Sequence, residues 1–245
     1  MKVVAIIQAR MGSQRLPGKS LMEIAGKPLL WYVIERVKKA KSLDSIILAT
    51  STKPENNPLC HFAEGMNVEV FRGSELDVLS RYVEVGKGAN ADIIVRICAD
   101  NPLVDPEEID RIVYQHISLG NDYSFNHVPS TNNNYPDGFG AEVVNAPVLY
   151  SLSTLSLTPE EREHVTLHIT RNPGNFSIRS CCAPYEIMGP DINLDIDTPE
   201  DFERMKNFIE FLPQEIIPFW TAREIVKYYR IFFKNKIICS VEPPL

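Results

Sequence analysis

At 245 residues the chain is long enough for one sizeable core, and its 44% hydrophobic and 23% charged shares are ordinary for a globular protein. Lys plus Arg total 25 against 32 Asp plus Glu, a net charge of −7, which argues against general nucleic-acid binding but allows a small anion on a local basic loop. No apolar stretch approaches membrane-spanning length, Val3–Ile7 is too short for a signal segment, and Cys60, Cys98, Cys181, Cys182 and Cys239 form no CxxC pair, so membrane, disulfide-framework and zinc-site readings fall away and a cytoplasmic protein is expected.

Short apolar runs alternate with helical patterns, the signature of an α/β domain on a mainly parallel sheet. Val3–Ile7 predicts a first buried strand, and Gly12–Gly18 a loop. Pro28–Ala40 has the apolar spacing of an amphipathic helix through Leu29, Leu30, Val33, Ile34 and Val37. Ser45–Thr50 predicts a second strand, Leu59–Glu64 a helix, Val68–Phe71 a third strand, Asp77–Gly86 a helix and Asp92–Cys98 a fourth strand, with Cys98 a buried small residue. Asp105 as N-cap, with Pro106 at the first helical position, opens a helix to Leu119. Residues 126–140 are polar and aperiodic, and loops of that length are usually functional or mobile. Beyond them, Ala141–Val144 predicts a strand, Ala146–Ser151 a helix start, and Pro159–Arg171 a helix behind the capping box of Thr158 and Glu161. Phe176–Cys181 and Asn193–Ile196 predict strands, Pro199–Phe211 a helix capped by Thr198, and Trp220–Phe233 a last helix. Without repeats or a low-complexity linker, one domain is expected over 1–211, with 212–245 as its C-terminal helical extension.

The chemistry starts in the loop Gln8–Lys19. It follows a buried strand, and parallel sheets bind ligands beyond the carboxyl ends of their strands. Its glycines let backbone N–H groups approach phosphate oxygens, while Arg10, Arg15 and Lys19 supply positive charge. The spacing is neither a Walker A nor a dinucleotide fingerprint, and a solvated basic turn is the competing reading. Two acidic positions complement the loop: Asp100 ends an apolar strand, and Asp195 and Asp197 alternate so that both project from one face of a strand end. By spacing, Asp77 and Arg81 form an i,i+4 ion pair on a capped helix, and Glu142 pairs with Arg162.

The stretch IIQARMGSQRLPGKSLMEIAGKPLLWYVIERV resembles the opening of the sugar-acid cytidylyltransferases, which include the enzymes activating 3-deoxy-manno-octulosonate and N-acylneuraminate, and most nearly the SpsF-like spore-coat polysaccharide branch. The resemblance runs from Val3 to about Phe211 and implies a three-layer nucleotide-diphospho-sugar transferase fold, Rossmann-like, with a mainly parallel central sheet. It implies that Ala9, Arg10, Gly12, Ser13, Arg15 and Lys19 hold a triphosphate. It further implies that Asp100 and Asp197 bind Mg²⁺, with Asp195 as a third candidate, and that Gly26, Lys27 and Pro28 begin the helix behind the loop. FRGSELDVLSRY resembles the segment over base and ribose, making Arg72, Ser74, Asp77 and Arg81 nucleotide contacts. PDGFGAE and REHVT resemble acceptor segments, making Asp137, Glu142 and His164 acceptor contacts. The implied activity is a Mg²⁺-dependent nucleotidyltransferase that couples CTP to an acidic sugar or sugar-like acid in polysaccharide biosynthesis. Its catalytic residues would be Arg10, Lys19, Asp100 and Asp197, and its active form a homodimer with contacts from 122–136 or from Trp220–Phe233. A guanylyl- or uridylyltransferase acting on a sugar-1-phosphate is the nearest alternative; a non-catalytic nucleotide binder is the more distant one.

Overall fold

The computed structural model describes residues 1–126 and 133–239. The first half consists of β1 (Val3–Gln8), the short strands β2 (Glu23–Ile24) and β3 (Lys27–Pro28), α1 (Leu29–Val37), β4 (Ser45–Ser51), α2 (Asn57–Gly65), β5 (Glu69–Gly73), α3 (Val78–Gly88), β6 (Ile93–Cys98) and α4 (Pro106–Leu119). The second half adds β7 (Tyr123–Phe125), β8 (Glu142–Asn145), α5 (Ala146–Leu152), α6 (Pro159–Glu163), α7 (Leu167–Arg171), β9 (Ile178–Ser180), α8 (Pro199–Phe211) and α9 (Ala222–Cys239). Among the described residues the main sheet has seven strands in the order β5-β4-β1-β6-β8-β7-β9. The strands from β5 to β6 are parallel, and β8 runs antiparallel to both its neighbours.

β1 lies at the middle of the parallel part and is buried on both faces, which is why it reads as an unbroken apolar run. Its alternate residues feed two separate cores. Val3, Ala5 and Ile7 pack with α1, α2, α4, α8 and α9, whereas Val4 and Ile6 pack with α3 and α5. The result is three layers, helix on sheet on helix.

Helix starts follow their local signals. Asp105 accepts from the Glu107 and Glu108 amides at the head of α4, and Thr158 and Thr198 each close a capping box. Four expectations need correction. The predicted helix Pro159–Arg171 is broken at His164 (φ −100°, ψ 79°), leaving α6 and α7 as separate short helices. Asn193–Ile196 is not a strand, because only Asn193 bridges, to Asp137. Phe176–Cys181 shrinks to β9. Lys27 and Pro28 form β3 of a small hairpin, with Pro28 as the N-cap of α1.

The segment after Leu212 returns to the main core. Trp220 is stacked on Tyr32 with ring centroids 6.5 Å apart and is buried within its own chain. Of the other proposed contact region, residues 127–132 lie outside the described residues. Arg36, 1% exposed, ties this return together: it donates to the carbonyls of Val104, Pro218 and Trp220 and pairs with Asp105 at 3.3 Å. Burial lowers its guanidinium to about 10, which leaves it charged at neutral pH. Arg36→Leu would strand the Asp105 carboxylate in the core, and a loss of about 3–5 kcal/mol is expected in urea unfolding. Arg36→Leu/Asp105→Asn keeps the helix cap without the stranded charge and should recover part of that loss. A single variant as stable as wild type would show that the pair does not hold the segment.

Candidate active site

Beyond Gln8 the chain leaves the sheet and folds back on itself. Asn56 Oδ1 accepts from the Met11 amide at 2.8 Å, Leu16 plugs into the core, and the Gly18 amide donates to the Met11 carbonyl at 2.9 Å. Gly18 sits at φ +75°, a conformation that glycine adopts without strain. This closure turns Arg10, Arg15 and Lys19 toward one cavity.

Each loop cation meets an acid from a distant part of the chain. Arg10 binds Glu163 at 3.1 Å, with Glu75 at 3.8 Å, and Arg15 binds Asp197 at 2.7 Å. Lys19, nearly enclosed, donates to Asp100 at 3.0 Å, to Asp197 at 3.1 Å and to the Ile196 carbonyl at 2.7 Å. Burial acts to lower the Lys19 pKa, but the charge and hydrogen bonds of Asp100 and Asp197 outweigh it, so the net shift is upward. The two aspartates are brought together by backbone: the Ile196 amide donates to the Asp100 carbonyl at 3.0 Å.

The cavity measures about 460 Å³, within the size range of small-molecule sites. Ala9, Arg10, Ser13, Arg15, Lys19, Asp100, His164 and Asp197 line it, as do Gln8, Arg96, Cys98 and Glu163, which the sequence reading did not single out as site residues. Gly12 lies in the same loop, with Glu55 Oε1 3.2 Å from where a Cβ would stand. Cys98 is not a plain core residue: it is half-buried on the cavity wall, where burial pushes its thiol up to about 12 and keeps it neutral.

Asp137 and Asp195 stand beside the Asp100–Asp197 pair. Gly138, at φ +95°, lets the chain press against Leu194 and Asp195 where a Cβ would collide at 2.8 Å. Burial, then the charge of Asp195, pushes the Asp137 carboxyl up to about 6. Burial, then Asp197 and Asp100, also raises Asp195, whose enclosed Oδ1 lacks a hydrogen-bond partner. Among the described residues no group of three or more His, Cys, Asp or Glu side chains is placed to hold a metal ion. Asp195, the third candidate, stands within electrostatic reach of Asp100 and Asp197 without forming a preassembled cluster with them among the described residues. Those two, both within 3.1 Å of the Lys19 ammonium, form a cation position made of hard oxygen donors, a donor set that suits Mg²⁺ when phosphate and water oxygens complete the shell.

Other expected contacts are not on the cavity wall. Arg72 is spent on the carbonyls of Ser51 and Lys53 and on Asn57 Oδ1. Ser74 accepts from the Asp77 amide, and Asp77 caps α3. Asp77 pairs with Arg162 at 2.8 Å rather than with Arg81. Arg81, 1% exposed, has no partner for any guanidinium nitrogen among the described residues. Glu142 is buried off the cavity wall: it pairs with Arg96 rather than Arg162, and accepts from the hydroxyls of Tyr123 at 2.8 Å and Thr166 at 2.5 Å.

A basic loop after the first strand thus faces two carboxylates at the carboxyl edge of a mostly parallel sheet. The chain belongs to the cytidylyltransferase family, whose model matches residues 4–235. It is 38% identical over 209 residues to the spore coat polysaccharide biosynthesis protein SpsF of Bacillus subtilis (strain 168), covering 83% of this chain and 85% of that one. A cytidylyltransferase from Leptospira borgpetersenii superposes with a TM-score of 0.84 at 28% identity, covering 100% of this chain and 99% of the other. A CMP:2-keto-3-deoxy-manno-octonic acid synthetase complexed with CTP shares the fold, with a TM-score of 0.67 at 21% identity over 86% of this chain and 99% of that one. No described helix is long and apolar enough to cross a membrane.

A carboxyl whose pKa is raised by folding stabilises the fold only while protonated. That contribution is complete below the ordinary aspartate range and is lost as pH rises through about 6 for Asp137. Ligand-free Asp137→Asn is expected to melt above wild type at pH 8, by about 2–4 °C, with the gap closing by pH 4. Equal melting temperatures at pH 8 would show that Asp137 is not strained by its neighbours.

Proposed function

We propose that the protein transfers CMP from CTP to an acidic sugar or sugar-like acid, with release of pyrophosphate, in the synthesis of a surface polysaccharide or glycan. The observation that carries this reading is the convergence of Arg10, Arg15 and Lys19 with Asp100 and Asp197 on one cavity. On binding, the triphosphate takes over the carboxylate positions around the three cations, and Arg10, Arg15 and Lys19 stabilise the charge that gathers on departing pyrophosphate. Asp100 and Asp197, released from Lys19, would hold Mg²⁺, which when bound neutralises phosphate charge and lowers the pKa of a coordinated acceptor oxygen. The acceptor oxygen attacks the α-phosphorus in line. The bond from that phosphorus to pyrophosphate breaks, and its electron pair leaves with pyrophosphate. The protein's part is positioning and electrostatics, with no covalent enzyme intermediate. His164 on the cavity wall and Asp137 beside the acid pair are assigned to the acceptor side.

Family membership supports cytosine as the base. The buried Arg81 guanidinium lies behind the cavity wall, packed at Gly73 and within electrostatic reach of Glu75 and Arg10, so it is placed to act on the base only through the residues in front of it.

Pyrophosphate release should appear with CTP and a sugar acid in the presence of Mg²⁺, and not with GTP or UTP and a sugar-1-phosphate. Asp100→Asn is expected to lower turnover by at least about 100-fold while the fold persists by circular dichroism; near-normal turnover would remove Asp100 from the chemistry.

A further inference from the structure

Four full cations line the cavity among the described residues, and three belong to the loop after β1. The fourth, Arg96, rises from the floor on β6. β6 lies between the parallel strands that carry the phosphate loop and the antiparallel strand β8. A molecule reaching from the phosphates toward β8 therefore meets Arg96.

Arg96 is aimed from behind. Glu142 stands directly opposite it in the antiparallel register, and the two side chains are paired. Glu142 cannot easily turn away, because its other oxygen accepts from both Tyr123 and Thr166. Arg96 itself is used at one end only. Its Nη1 meets Glu142, while its Nε is enclosed and has no hydrogen-bond partner. Arg36 shows what a purely structural arginine looks like in this chain: three carbonyls and a carboxylate take up its fork. Arg96 lines the cavity wall with its side chain 15% exposed.

The charges around Arg96 narrow the partner. Glu142 already balances it one for one, and Asp100 lies four positions further along the same chain segment. A dianionic phosphate would bring two negative charges to a pair with no net positive charge. A carboxylate brings only one, and a charge-assisted hydrogen bond to the guanidinium balances it. We propose that Arg96, oriented by Glu142, receives the carboxylate of the acceptor and sets the selectivity for an acid over a neutral sugar. This assignment rests on the nucleotidyl-transfer reading above.

The test is calorimetry with Mg²⁺ and a non-hydrolysable CTP analogue bound, titrating a panel of sugar acids, each beside its neutral C1 amide. Wild type should bind at least one acid about 30-fold more tightly than its amide. Arg96→Gln should bring that ratio near one, Arg96→Lys should fall between, and affinity for the CTP analogue should stay within about twofold in both. Arg96→Gln/Glu142→Gln preserves the charge balance and serves if the single variant fails to fold. A preference for acids that survives Arg96→Gln would overturn the assignment. So would loss of analogue binding in the Arg96 variants alone, or a wild type that binds the analogue yet favours no acid of the panel. A wild type that binds no CTP analogue at all would count against the transferase reading itself, and the first titration reads that separately.

Discussion

At the carboxyl edge of the sheet, Asp100 and Asp197 are drawn together by a backbone hydrogen bond, with Asp137 and Asp195 close by. Like charges so near one another would push the segments apart, and Lys19 is what lets them stay. Its ammonium sits between the first two and also takes the Ile196 carbonyl. Much of the surrounding architecture serves this contact. The left-handed turn at Gly18 brings Lys19 in from one side. From the other, Asp201 accepts from the Asp197 and Thr198 amides and so fixes the approach to α8. The acidic cluster is thus held by an internal cation.

The half of the molecule that binds the phosphates was the more readable from sequence, and the reason is locality. Buried parallel strands are apolar runs such as SIILAT and IIVRIC, and helix starts at Asp105, Thr158 and Thr198 are marked within four residues. The loop with Arg10, Arg15 and Lys19 is likewise one continuous stretch. What stayed hidden depends on pairing across the chain. Arg96 meets Glu142 across 46 positions, and Arg162 meets Asp77 across 85. No periodicity announces such contacts, so Glu142 read as an acceptor contact and Arg96 as an ordinary strand residue. The break at His164 has the same origin: Thr166 is drawn to Glu142 and Val165 to the core, and those tertiary demands override a helical pattern that begins correctly at its capping box.

Three arginines that composition would count alike do different work. Arg36 has its fork filled by the chain itself and fastens the C-terminal return. Among the described residues Arg81 is buried with none of its nitrogens matched, and Arg96 is matched at one end. The degree of satisfaction separates Arg36 from the other two. It is the most informative property of these side chains, and it is invisible until the fold is known.

The pairing of Arg10, Arg15 and Lys19 with Glu163, Asp197 and Asp100 also bears on how this protein tolerates change. In many enzymes the active site is a source of instability, and inactivating substitutions there make the protein sturdier. Here, losing Lys19 leaves Asp100 and Asp197 facing each other without the cation between them, so damage to function and damage to the fold would arrive together. Variants inactivated at Lys19 would be depleted in cells by degradation as well as by loss of activity, while those in which one of the crowded acids is neutralised would persist as folded, silent chains. Mutational drift in such a site is asymmetric by charge.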